Sequence, residues 1–169
     1  MMIFVPLSRK QATELRDAAQ RSTESVGAEQ RAGWVGHTTT RAMMSSHEYD
    51  ASQLEDAEYA ALCYAGVRAL TVADDRLRLV VAVDVPDNEI RSGADDPYGE
   101  VRADRLRWQG VTALFADEAT AARSVSAARS AMDSGTTLGQ ALEVPAVETL
   151  LDEHDLLWFA PEELDALPA

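Results

Sequence analysis

A chain of 169 residues with 46% hydrophobic residues, one cysteine and a formal net charge of −14 fits a single acidic domain that folds without covalent staples. That charge argues against direct binding to nucleic acid or to anionic membranes. With no second cysteine to pair, no signal-peptide pattern after Met1 and no apolar run of membrane-spanning length, a soluble cytosolic protein is expected.

Ile3-Phe4-Val5 beside Pro6 reads as a first strand. Ser8 with Gln11 has capping-box spacing, and Ala12, Leu15, Ala18 and Ala19 share one face of the helix that follows. Residues 22–33 are polar and broken by Gly, which predicts a loop. Trp34-Val35-Gly36 is a short strand, and the threonines Thr38 to Thr40 are positioned to cap a short helix through Met43 and Met44. A second capping box, Ser52 with Glu55, opens the clearest helix. Along it Leu54, Ala57, Ala61, Leu62, Ala65, Ala69 and Val72 recur at helical spacing. Leu77 to Val85 is the clearest strand and becomes continuously apolar, as a strand covered on both faces does.

Residues 91–99 form turns, residues 100–108 a weaker polar strand near an edge, and Val111 to Phe115 another strand. An Ala-rich helix starts at Asp117 and ends near Met132. A further helix spans Leu138 to about Leu151, kinked or broken by Pro145. Leu156 to Phe159 is the last strand, and Pro161 opens a final short helix. Trp158 and Phe159 point to opposite faces, so this strand is expected to be covered on both.

The charge is uneven. Residues 130–169 hold nine carboxylates and no Lys or Arg, the last basic residue being Arg129. Such a field steers a basic partner, or serves solubility alone.

The element order predicts an α+β fold with a mixed sheet of about five or six strands. Strand 3–5, helix 8–22 and strand 34–36 echo strand 111–115, helix 117–132 and strand 156–159. Two such β-α-β halves around a hairpin make a ferredoxin-like arrangement. A doubly wound α/β sheet is the alternative, weakened by the lack of a Gly-rich turn after the first strand.

Four segments carry a resemblance: Ile3-Phe4-Val5-Pro6-Leu7, Glu55-Asp56-Ala57-Glu58-Tyr59-Ala60-Ala61-Leu62, Ala82-Val83-Asp84-Val85-Pro86-Asp87 and His154-Asp155-Leu156-Leu157-Trp158-Phe159-Ala160. They are similar to a family of small acidic actinobacterial proteins catalogued as a domain of unknown function. The resemblance covers nearly the whole chain, implies a cytosolic actinobacterial origin and transfers no catalytic residue.

Gly36-His37-Thr38-Thr39-Thr40-Arg41, between a strand and a helix, is the segment with most chemistry. Hydroxyls and free amides of Thr38, Thr39 and Thr40 can hold an anion beside Arg41, with His37 moving a proton. The plainer reading is one Thr capping the helix, Arg41 in water and His37 packed in the loop. His47-Glu48-Tyr49-Asp50 and Asp152-Glu153-His154-Asp155 lack metal-ligand spacing and read as solvated loops. His154 is also placed to cap a helix end. No metal or cofactor is expected. Cys63, in mid-helix with no partner cysteine, reads as an inert apolar residue.

Two functions remain open. The first is a non-enzymatic module that binds another protein with a basic surface, through Trp158, Glu162, Glu163 and Asp165. A narrower form is a mimic of DNA. The second is a small enzyme or anion-binding protein using His37 and Arg41. The two are separated by whether the His37–Arg41 side chains converge on a pocket with an acid from another element.

Overall fold

The computed structural model describes residues 1–21, 33–92 and 96–168. β1 (Met2–Pro6) turns Ile3 and Val5 to one face and Phe4 to the other. α1 (Arg9–Gln20) starts at a closed capping box. The Gln11 N–H donates to Ser8 Oγ at 3.1 Å, and the Ser8 N–H donates to the Gln11 carboxamide oxygen at 2.8 Å. Such a cap stabilises a helix by ~1 kcal/mol. β2 (Trp34–His37) leads to α2 (Arg41–Ser46) and then to α3 (Leu54–Val72). β3 (Leu79–Asp84), β4 (Ile90–Ser92), β5 (Glu100–Ala103) and β6 (Val111–Ala116) follow. α4 (Ala122–Ser130), α5 (Leu138–Leu142), α6 (Pro145–Glu153), β7 (Leu157–Phe159) and a 3-10 segment (Pro161–Ala166) complete the chain.

Among the described residues the strands form a seven-stranded sheet in the order β4-β5-β2-β1-β3-β6-β7. Every neighbouring pair is antiparallel. One face carries Ile3, Val5, Val81, Val83, Leu114 and Val101 and packs against Ala12 and Leu15 of α1 and Leu164 and Leu167 near the C-terminus. The other face carries Phe4, Val80, Ala82 and Ala113 and packs on Ala57, Ala61, Leu62 and Ala65 of α3. Small residues on α3 let the helix lie close to the sheet. Val67 and Leu70 of α3 then meet Val125, Ala128, Ala141, Val147 and Leu150, so α4, α5 and α6 stack on α3 as an outer layer.

Several expectations are corrected. The sheet is antiparallel rather than mixed and has more strands than predicted, and the ferredoxin-like order is not found. β1 pairs directly with β2, and β6 with β7, both antiparallel, so neither helical connection is a parallel crossover. The extra strand is β4, which forms a hairpin with β5 across residues read as turn. The box before α3 is Asp50 with Gln53 on a 3-10 turn, not Ser52 with Glu55. Leu54 and Val72, at the two ends of α3, are 47% and 49% exposed. Pro145 breaks the predicted helix and starts α6, where its missing N–H costs nothing. β7 is an edge strand rather than a central one. Phe159 packs toward the core while Trp158 is 61% exposed.

Candidate functional site

His37 ends β2 and is fully buried. Its Nδ1 lies 2.9 Å from the Tyr98 carbonyl and donates to it, which leaves Nε2 the acceptor nitrogen of the neutral ring. That Nε2 is buried and has no hydrogen-bond partner among the described residues. Burial pushes the His37 pKa below the usual histidine value. Arg68 adds to this effect, while the Tyr98 bond, Glu100 and Asp96 oppose it. Arg68 and Glu100 are themselves paired at 2.5 Å. The ring sits in an aromatic group with Tyr64, 6.5 Å away, and Tyr64 meets Tyr98 edge-on at 5.2 Å.

The rest of the segment goes elsewhere. Thr38 Oγ1 donates to the Met2 carbonyl at 2.9 Å, and the Thr38 N–H donates to the Gly99 carbonyl at 2.9 Å. Gly99 has φ +69°, and a Cβ there would lie 2.1 Å from the Thr38 carbonyl oxygen, so only glycine fits this contact. Thr40 Oγ1 accepts from the Met43 N–H and caps α2, and Thr39 is half-buried beside it. The Thr38 and Thr40 hydroxyls turn to separate backbone groups, the His37 ring is buried and Arg41 is exposed.

At the C-terminal end, Glu162, Glu163 and Asp165 are exposed. Glu163 accepts from the Ala160 N–H at 2.7 Å, and Asp165 pairs with Arg16 at 2.8 Å. Trp158 stands on the outermost strand, in register with Phe115 on β6. Its neighbour Leu157, on the opposite face, is also exposed.

Between the sheet and the outer helices lies an ion pair that sequence reasoning missed. Arg78 and Asp117 have side chains 1% and 0% exposed. Arg78 Nη2 and Nε reach the carboxylate at 2.7 and 3.1 Å, and the Arg78 N–H donates to it at 2.7 Å. Arg78 Nη2 also donates to the His154 carbonyl at 2.9 Å. Removing two charges from water costs about what their attraction returns, so such a pair contributes little net stability. Its effect is positional. Asp117 directly follows β6 and His154 directly follows α6, so one guanidinium ties the two chain junctions together.

Three side chains meet on those junctions. His154 Nδ1 faces Glu118 Oε1 at 3.3 Å, and His154 Nε2 faces Ser124 Oγ at 3.3 Å. The Glu118 carboxyl is held below its usual pKa by hydrogen bonds from Thr120 and then from His154. His154 also lines a pocket with Tyr59, Leu62, Cys63, Leu151 and Leu156. Tyr59 donates to Asp155 at 2.9 Å, and this bond raises its pKa. Burial pushes the Cys63 thiol pKa up, against the opposing effects of Tyr59 and Arg78. Among the described residues no three His, Cys, Asp or Glu side chains gather as a metal site would require.

Residues 1–167 match the model of a family of unknown function, DUF6912. The chain belongs to that family. No curated protein and no solved structure matches it. Among the described residues of this DUF6912 protein, no helix is long and apolar enough to cross a membrane. Two signals for the missed residues were present in the sequence. Arg78 stands between Leu77 and Leu79 at the start of the most apolar strand, and Asp117 immediately follows another. Neither signal names its partner, because strand pairing alone brings them together.

Proposed function

We propose that this DUF6912 protein is a cytoplasmic docking module that takes an extended, basic segment of another protein along the outer edge of β7. The observation that carries the reading is Trp158, 61% exposed on the edge strand of the sheet. A large aromatic ring left in water is costly unless something covers it, and tryptophan is among the commonest anchors of protein interfaces. An edge strand offers unpaired backbone groups that an extended peptide can complete.

Charge selects the kind of segment. Asp155, Glu162 and Glu163 are exposed in the stretches flanking β7, and no Lys or Arg occurs after Arg129. A strand alternating Arg with Val would place apolar side chains on Trp158 and cations near those carboxylates.

The test is titration of a labelled eight-residue Arg-Val peptide and its Glu-Val counterpart, read by fluorescence anisotropy. The basic peptide binds, and binds more weakly as salt is raised. Trp158→Ala weakens it about 30-fold, the loss of a hot-spot side chain worth ~2 kcal/mol. The same change alters folding stability by no more than ~0.5 kcal/mol, since the ring is exposed. Equal binding of the acidic peptide, or unchanged affinity in Trp158→Ala, contradicts the reading.

A further inference from the structure

The geometry points to a second, independent activity: Ser124, His154 and Glu118 form an acyl-transfer relay that hydrolyses small esters or thioesters. The inference does not rest on the docking reading, because it uses different side chains.

Each member is in the position the chemistry needs. Glu118 Oε1 lies 3.3 Å from His154 Nδ1, so a carboxylate kept ionised by its hydrogen bonds holds the imidazole with its proton on Nδ1. The Nε2 lone pair then faces Ser124 Oγ, also at 3.3 Å. Nucleophile to base and base to orienting acid is the arrangement that activates a serine, whatever the fold or chain order. Separations slightly beyond the ideal are usual in unliganded sites. Ser124 sits in the first turn of α4, and both it and His154 retain partial exposure. The support beneath is stiff, since Asp117 and the His154 carbonyl are both held by buried Arg78. His154 also borders a small pocket with apolar walls at Leu62, Leu151 and Leu156.

The step balances without any further reactant than water. Ser124 Oγ forms a bond to the acyl carbon while its proton passes to His154 Nε2. The carbon to leaving-group bond breaks, and the leaving oxygen or sulfur takes that proton. Water then attacks the acyl carbon, gives its proton to Nε2, and the bond to Oγ breaks with return of the proton to Ser124. The products are a carboxylic acid and an alcohol or thiol.

The experiment uses the full chain with a fluorophosphonate probe, which phosphonylates an activated serine with loss of fluoride. Intact mass and peptide mapping locate the adduct, and turnover of p-nitrophenyl butyrate is followed alongside. One adduct per chain is expected, on Ser124, with its rate about 100-fold lower in His154→Gln and about tenfold lower in Glu118→Gln. Ser124→Ala, a mild change in a helix, abolishes both the adduct and turnover. The inference is overturned by an absent adduct, by an adduct elsewhere, or by butyrate hydrolysis that survives Ser124→Ala. Circular dichroism of each variant checks folding. Should His154→Gln fail that check, the wild-type adduct position and the Ser124→Ala turnover still decide the matter.

Discussion

His37 and His154 each stand where a strand and a helix meet, and their surroundings are opposite. His37 is packed at the end of β2 with one nitrogen bonded to a carbonyl and the other facing no partner among the described residues. His154 precedes β7 with a carboxylate on one nitrogen and a hydroxyl on the other. Burial with only one nitrogen partnered favours the neutral imidazole and leaves its lone pair facing no nucleophile among the described residues, whereas His154 has a carboxylate on one nitrogen and a hydroxyl facing the other. The same contrast extends to the neighbours. Thr38 and Thr40 are consumed by backbone bonds, while Trp158, four residues beyond His154, faces water.

The largest effect that sharpens this contrast comes from beneath the His154 end. Asp117→Ala leaves Arg78 buried without its counter-charge and should destabilise the protein by about 3–5 kcal/mol. Urea unfolding measures it. Replacing both partners, as Arg78→Met with Asp117→Leu, should restore most of that loss, because two apolar side chains of similar size bury no charge. If the double variant is as unstable as Asp117→Ala alone, the pair is a source of stability rather than a tie between junctions.

A smaller effect comes from the His37 end. The folded pKa of His37 lies below the ordinary value of about 6.5 because of burial. Above that value both folded and unfolded rings are neutral, and the full stability is present. As pH falls below it, the unfolded ring takes up a proton that the folded ring refuses. Stability therefore falls, by at most ~1.4 kcal/mol per pH unit, until the folded value is passed. His37→Asn keeps a donor for the Tyr98 carbonyl and removes the titration. Its unfolding free energy should fall less than the wild-type value between pH 7.5 and 5.5. The depressed carboxylates Asp50, Glu89 and Glu118 lose their contributions only at lower pH, below the ordinary carboxylate range. Parallel pH curves for the two proteins would place the titration elsewhere.

Much of the local structure was legible in the residues. Ser8 with Gln11 is a cap because each side chain reaches the other's backbone, a relation of adjacent positions that spacing alone expresses. Pro145 had to interrupt a helix, and Leu79 to Val83 had to be covered on both faces. What spacing cannot express is which strands become neighbours. β1 and β2 read as the two strands of one β-α-β half with their mutual direction open, and they pair antiparallel, while the strand with Trp158 is an edge. Arg78 looked like the polar position of an alternating strand. Only the β3–β6 pairing places it against Asp117, and only the return of the chain through α6 brings His154 to both. Glu118, Ser124 and His154 are spread over 37 positions of sequence, so no short motif records them.

The most direct measurement is backbone amide hydrogen exchange, taken with and without the basic Arg-Val peptide. Docking on the β7 edge predicts slower exchange concentrated at residues 156–160, lost in Trp158→Ala, with the opposite edge at β4 and the His37 region unchanged. Protection at β4 and β5 instead, or none at β7 under saturating peptide, would contradict the account.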